Sequence, residues 1–181
     1  MIKFLNLSPR IARGLQPEFS AAVLSVVLAT LIPAAAKADE AQIERGRYLV
    51  QIAGCGDCHT PGYFLGNPDP QRFLGGSDVG FEVPGLGIFH GPNLTPDDAT
   101  GIGTWSAEEI VTAIRTGERP DGRGLAPAMP WPNLAALTDD DAYAIAAFLQ
   151  SLDPVVHKVP EPIPPGETSS SFVMRVIPPG G

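Results

Sequence analysis

Two thiols and an imidazole stand together in Cys55-Gly56-Asp57-Cys58-His59, the residues of this chain best suited to chemistry. On a helical turn Cys55 and Cys58, three apart, project the same way, so both sulfurs can form thioethers with the two vinyl groups of one porphyrin. His59, next along, then falls under the iron. A neutral imidazole binds iron through one ring nitrogen, and the other should donate to a backbone carbonyl that fixes tautomer and ring angle. The spacing therefore predicts one covalently attached haem c, anchored by Cys55, Cys58 and His59.

The iron needs a sixth ligand. Beyond residue 38 only Met129 and Met174 offer a thioether, and Met129 is held between prolines in Leu125-Ala126-Pro127-Ala128-Met129-Pro130-Trp131. A soft thioether favours ferrous iron and closes the site to substrate, which suits electron carriage. Core packing is the other role open to Met129. His90, in a Gly-rich stretch, is an alternative ligand that would lower the potential, and an open sixth position would instead make a haem enzyme or ligand sensor. No acid-base pair stands out beside these segments, so an electron carrier rather than an enzyme is the expectation.

Two rival uses of the cysteines fit less well. A dithiol redox motif is opposed by the trailing His59 and by the lack of a βαβ pattern. Zinc held by Cys55, Cys58 and two of His59, His90 and His157 lacks a second ligand pair at regular spacing, so no zinc is expected. His157, beside Lys158, reads as a surface residue.

The elements that must position this cluster follow from periodicity and caps. Ile43, Tyr48, Leu49 and Ile52 recur with helical spacing over 41–53, so a first helix delivers the cysteines. From Thr60 to Gly103 prolines and glycines break every period, and the segment reads as a long loop that needs something to wrap. Ser106 with Glu109 forms a capping box ahead of Ile110, Val111 and Ile114, and Gly117 stops this second helix. Thr138 with Asp141 starts a third, carrying Tyr143, Ile145, Phe148, Leu149 and Leu152, which ends before Pro154. The tail to Gly181 is Pro-rich, with one apolar stretch, 172–177, suited to an extended segment. It would strap onto a partner or onto the body of the protein.

Composition bounds the reading. The 181 residues include 20 Gly and 20 Pro, with a net charge of −8, which excludes a large multidomain enzyme and argues against a nucleic-acid partner. Lys3, Arg10 and Arg13 precede an uncharged run from Ala21 to Ala36, and Ala36-Lys37-Ala38 suits a signal peptidase, so residues 1–38 read as an export signal cut after Ala38. A retained N-terminal membrane anchor is the alternative. Loss of Lys3, Arg10, Arg13, Lys37 and Glu18 would leave a charge of −11. That acidity suits salt-sensitive docking on a basic partner surface, and the bacterial periplasm is the expected compartment.

Several stretches then carry a resemblance in order: Cys55-Gly-Asp-Cys58-His59-Thr60, Gly91-Pro92-Asn93-Leu94-Thr95-Pro96-Asp97, Gly101-Ile-Gly-Thr-Trp105-Ser106, Asp121-Gly122-Arg123-Gly-Leu125 with Pro127-Ala-Met129-Pro130, and Ala144-Ile145-Ala-Ala-Phe148-Leu149. Over residues 40–155 the chain resembles the small monohaem c-type cytochromes, particularly the cytochrome subunits and partners of periplasmic alcohol and aldehyde dehydrogenases. The resemblance implies an all-α cytochrome c fold over 39–153, with Gly46 of the first helix close to Phe148 of the third. It implies that the Pro92 carbonyl accepts from His59, that Leu94 packs on the haem and that Trp105 lines the haem pocket. It also implies electron transfer from a dehydrogenase to a terminal oxidase or another cytochrome. The stretch from Thr60 to His90 is longer than in the shortest relatives.

Overall fold

The computed structural model describes residues 40–177 and 179. The expected export signal and its cut after Ala38 lie outside the described residues. Helix α1 runs over residues 40–52, and a turn at 53–54 leads into the single-turn helix α2, Cys55–His59. Helix α3 is Ala107–Thr116, α4 is Trp131–Leu134 and α5 is Asp139–Gln150.

The longer helices start where their caps dictate. The Ser106 hydroxyl accepts from the Glu109 amide at 3.2 Å, and the Glu109 carboxylate accepts in return from the Ser106 amide at 2.7 Å. Thr138 accepts from the Asp141 amide at 3.2 Å, with Asp139, Asp140 and Asp141 at the positive end of α5. Gly117, at φ 74° in the left-handed region, closes α3.

The core joins α1, α3 and α5. Leu49 and Val50 of α1, Ile110 and Val111 of α3, and Ile145, Phe148 and Leu149 of α5 are buried together with Leu74 and Ile102. Cys55, Leu94 and Trp105 pack on the rim of this cluster, so the haem-motif segment is fastened to the helical core. Arg45 of α1 also pairs with Asp141 of α5 at 2.8 Å, although both are exposed enough that little stability rests on it.

The expected all-α fold and the expected loop from Thr60 to Gly103 are both corrected by a small sheet. Strand β1, Val79–Val83, pairs antiparallel with β2, Gly87–His90, and β3, Phe172–Met174, pairs parallel with the other side of β1. Pro84 and Gly85, the residues that break periodicity here, make the hairpin: Gly85 has φ 79° and the Leu86 amide donates to the Val83 carbonyl at 3.0 Å, a type II turn. The apolar stretch expected to be extended is so from Phe172 to Met174, and it finds its partner 93 residues upstream in β1 rather than in the helical core. Ile163 bonds in both directions with Ile88 at 2.9 Å, on the edge of β2 that faces away from β1. The segment after α5 thus lies along the protein's own body.

Candidate functional site

Helix α2 carries Cys55, Cys58 and His59 on one turn, as the spacing requires. Both cysteines are half-buried and neither is in a disulfide. Burial pushes the Cys55 thiol up to about 11, and burial also raises Cys58. Among the described residues no three His, Cys, Asp or Glu side chains converge as ligands of a single ion.

His59 is buried at 5% exposure, and its Nδ1 lies 2.8 Å from the Pro92 carbonyl oxygen. Burial lowers its pKa, with the Pro92 carbonyl acting in the opposite direction, which favours the neutral ring. A neutral ring that donates through Nδ1 keeps its proton there and leaves the Nε2 lone pair for iron. Gly91 makes the approach possible: a side chain there would drive into the Cys58 carbonyl and stand 3.3 Å from His59 Nδ1. These residues fit a haem c. Two thiols point from one helical turn, the next residue is a neutral imidazole, and its outer nitrogen is already fixed by a carbonyl.

Leu94 is half-buried on the core, its amide donating to the Leu74 carbonyl at 2.8 Å. Trp105 is also half-buried there, with the Arg119 guanidinium 5.6 Å above its ring and its carbonyl accepting from Gln150 Nε2 at 3.1 Å. The structure therefore brings Cys55, Leu94 and Trp105 to one core and ties Pro92 to His59. Met129 stands apart in its own loop, half-buried in a cavity of about 580 Å³ with Leu125, Pro127, Pro130 and Trp131. That loop is fixed to the end of α3, where the Leu125 amide donates to the Gly117 carbonyl at 2.7 Å and the Trp131 indole covers Gly117.

His90 ends β2, its Nε2 3.0 Å from the Ser171 hydroxyl, and burial lowers its pKa. His157, read from the sequence as a surface residue, is half-buried, with its Nδ1 2.6 Å from the Gly75 carbonyl. The basic residues nearest these loops are engaged with acids: Arg72 with Asp69, Arg115 with Asp139 and Arg123 with Asp121.

Sequence reasoning missed a second layer behind His59. Asn93 is buried at 1% exposure and bonds through its side chain to Thr95, Thr100 and Val155. The run Asn93-x-Thr95-x-Asp97-x-x-Thr100 held a signal, since short polar side chains clustered after a proline close local turns onto their own backbone. Leu74, fully buried with φ 60°, held none, because a left-handed leucine leaves no trace in composition.

The helical core and the α2 cluster define a domain built to hold a covalently attached haem. The chain matches the cytochrome c family over residues 43–153 and belongs to that family, the haem c proteins of electron transport. It is 33% identical over 149 residues to the cytochrome c subunit of a quinone alcohol dehydrogenase from Komagataeibacter europaeus, covering 82% of this chain and 30% of that one. It is 35% identical over 137 residues to the gluconate 2-dehydrogenase cytochrome c subunit of Pantoea cypripedii, covering 74% and 29%. The fructose dehydrogenase cytochrome subunit of Gluconobacter japonicus is 34% identical over 131 residues, covering 71% and 24%. The chain thus spans less than a third of the length of these relatives. No helix among the described residues is long and apolar enough to cross a membrane.

Proposed function

We propose that this protein carries single electrons on one haem c, bound through Cys55 and Cys58, with His59 and Met129 as the axial ligands. Bound haem supplies a one-electron ferric/ferrous couple, and every other part of the task falls to the chain. Pro92 holds the tautomer and angle of His59, Leu94 and Trp105 shape the apolar pocket, and the proline-stiffened loop presents the Met129 thioether. The observation that carries this reading is the bond of His59 Nδ1 to Pro92 at 2.8 Å in a chain of the cytochrome c family. The two cysteines of the sequence, enough for one pair of thioethers, support a single haem on this chain.

The donor in this reading is a dehydrogenase, and the acceptor a terminal oxidase or another cytochrome. Kinship with cytochrome subunits of alcohol, gluconate and fructose dehydrogenases supports the donor. The compartment is the periplasm, reached through an export signal over residues 1–38, with residues 39–153 as the haem domain and 154–181 as its tail. The spectrum of the oxidised, haem-loaded protein tests the ligand set. The weak far-red band of thioether-bound ferric iron is expected, together with its loss in Met129→Ala. A high-spin ferric spectrum in the unaltered protein would mean an open sixth position and would contradict the closed carrier.

A further inference from the structure

Along residues 155–159 burial alternates, Val155, His157 and Val159 being half-buried while Val156 and Lys158 are exposed. The half-buried side lies on Gly75 and Gly76: a side chain at Gly75 would meet Val155 at 3.1 Å, and one at Gly76 would meet Val159 at 2.5 Å and His157 Nδ1 at 3.3 Å. His157 Nδ1 donates to the Gly75 carbonyl at 2.6 Å, and the Gly76 amide donates to the carbonyl of His59 itself at 2.8 Å. One face of the segment therefore presses on the loop that grips the backbone of the ligand residue.

The same segment grips the loop that carries the ligand's acceptor. The Val155 carbonyl accepts from Asn93 Nδ2 at 2.7 Å, the Val155 amide donates to Thr95 Oγ1 at 3.0 Å, and the His157 amide donates to Thr100 Oγ1 at 3.1 Å. Asn93 shares its peptide plane with the Pro92 carbonyl. Its side chain is saturated, Nδ2 donating to Thr100 and Val155 while Oδ1 accepts from the Thr95 amide and hydroxyl at 2.9 and 2.7 Å. Thr100 is the knot: its hydroxyl donates to Asp97 at 2.6 Å and accepts from both Asn93 and the His157 amide.

We propose that residues 155–159, tied through Thr100 and Asn93, are a positioning strap that holds the Pro92 carbonyl against His59 Nδ1 and so sets the donor strength of the haem ligand. The strap bonds to neither His59 nor Pro92 through its own side chains; it acts through the residues on either side of them. A strong Nδ1–H···O=C bond pushes charge toward the other ring nitrogen and favours ferric iron, so a loosened strap raises the reduction potential. This inference rests on the haem reading above.

The test uses the full-length, haem-loaded protein. Thr100→Val removes the knot, Thr100→Ser restores its hydroxyl, and His157→Phe removes the bond to Gly75 while keeping ring bulk. Two quantities are read: the exchange rate of the His59 Nδ1 proton by NMR, and the reduction potential. In Thr100→Val, exchange about fivefold faster is expected, as for loss of roughly one net hydrogen bond, with a higher potential. Thr100→Ser should return both to their original values, and His157→Phe should move both the same way as Thr100→Val. If Thr100→Val fails to fold, His157→Phe decides. Unchanged exchange and potential in a variant that melts at lower temperature would make the strap merely structural and overturn the proposal. Failure of the unaltered protein to take up haem would instead overturn the functional reading.

Discussion

Gly46 of α1 meets Phe148 of α5 with no room for a side chain between them: a methyl at residue 46 would stand 2.7 Å from Phe148 Cβ and run into the Ala144 carbonyl. The contact lets Leu49 and Val50 share one buried core with Ile145, Phe148 and Leu149, and α2, which bears the haem motif, hangs from the end of α1. Packing of these two helices therefore fixes where the cysteines emerge.

Gly46→Ala tests that packing. The clash is with backbone, which cannot swing aside as a flexible side chain can, so destabilisation of about 1–3 kcal/mol or more is expected. A lower denaturant midpoint in the haem-loaded protein, with unchanged slope, is the expected result; an unchanged midpoint would show that α1 has space to shift.

Gly117→Ala tests the seating of the Met129 loop. Residue 117 sits at φ 74° with Trp131 Nε1 2.7 Å from where a methyl would go, so the substitution strains the cap by about 1–2 kcal/mol and displaces the indole. The far-red ferric band should weaken or shift while the haem stays attached. A band identical to that of the unaltered protein would separate Met129 from this anchor.

Much of this organisation is legible in the residues. Ser106 with Glu109, Thr138 with Asp141, and Gly117 mark helix ends because caps are local, read within one turn of chain. Cys55, Cys58 and His59 are legible for the same reason. The sheet is not. Gly80, Pro84, Gly85 and Gly87 read as breakers, although Pro84-Gly85 makes the hairpin turn, and the Phe172 partner of Val79 lies too far along the chain for any local pattern to reveal. The Asn93 layer escapes notice because its bonds close only when residues 155–157 fold back upon it.

The thiols should be unreactive once the chain is folded without haem. With Cys55 raised to about 11 by burial, only on the order of one in ten thousand is thiolate at neutral pH, and burial raises Cys58 as well. Iodoacetamide at pH 7 should label both thiols slowly in the folded chain, and denaturant should speed both. Labelling in the folded chain as fast as in denaturant would contradict this burial.

Acid should loosen the Asp97 turn. The Thr100 hydroxyl and amide hold the Asp97 carboxyl below its ordinary range, so its contribution is present above the ordinary carboxylate pKa and is lost as pH falls through the depressed folded value. Arg45 lowers Asp141 in the same direction, and Arg72 lowers Asp69. The denaturant midpoint should begin to fall below about pH 6.5, where the unfolded chain takes up protons that the buried His59 and His90 resist, and should fall further below about 4 as the carboxyls protonate. Asp97→Asn, which keeps an acceptor oxygen but cannot titrate, should decline less steeply; an identical acid limb would remove Asp97 from the account.

The central claim is tested most directly by the mass of the purified protein, made in cells that carry haem-attachment machinery, measured after acidified organic extraction of loosely held haem. One retained haem per chain, lost in Cys55→Ser/Cys58→Ser, is the result expected of two thioethers on α2. A chain that weighs only as much as its amino acids, with both thiols free, would contradict the account at its root.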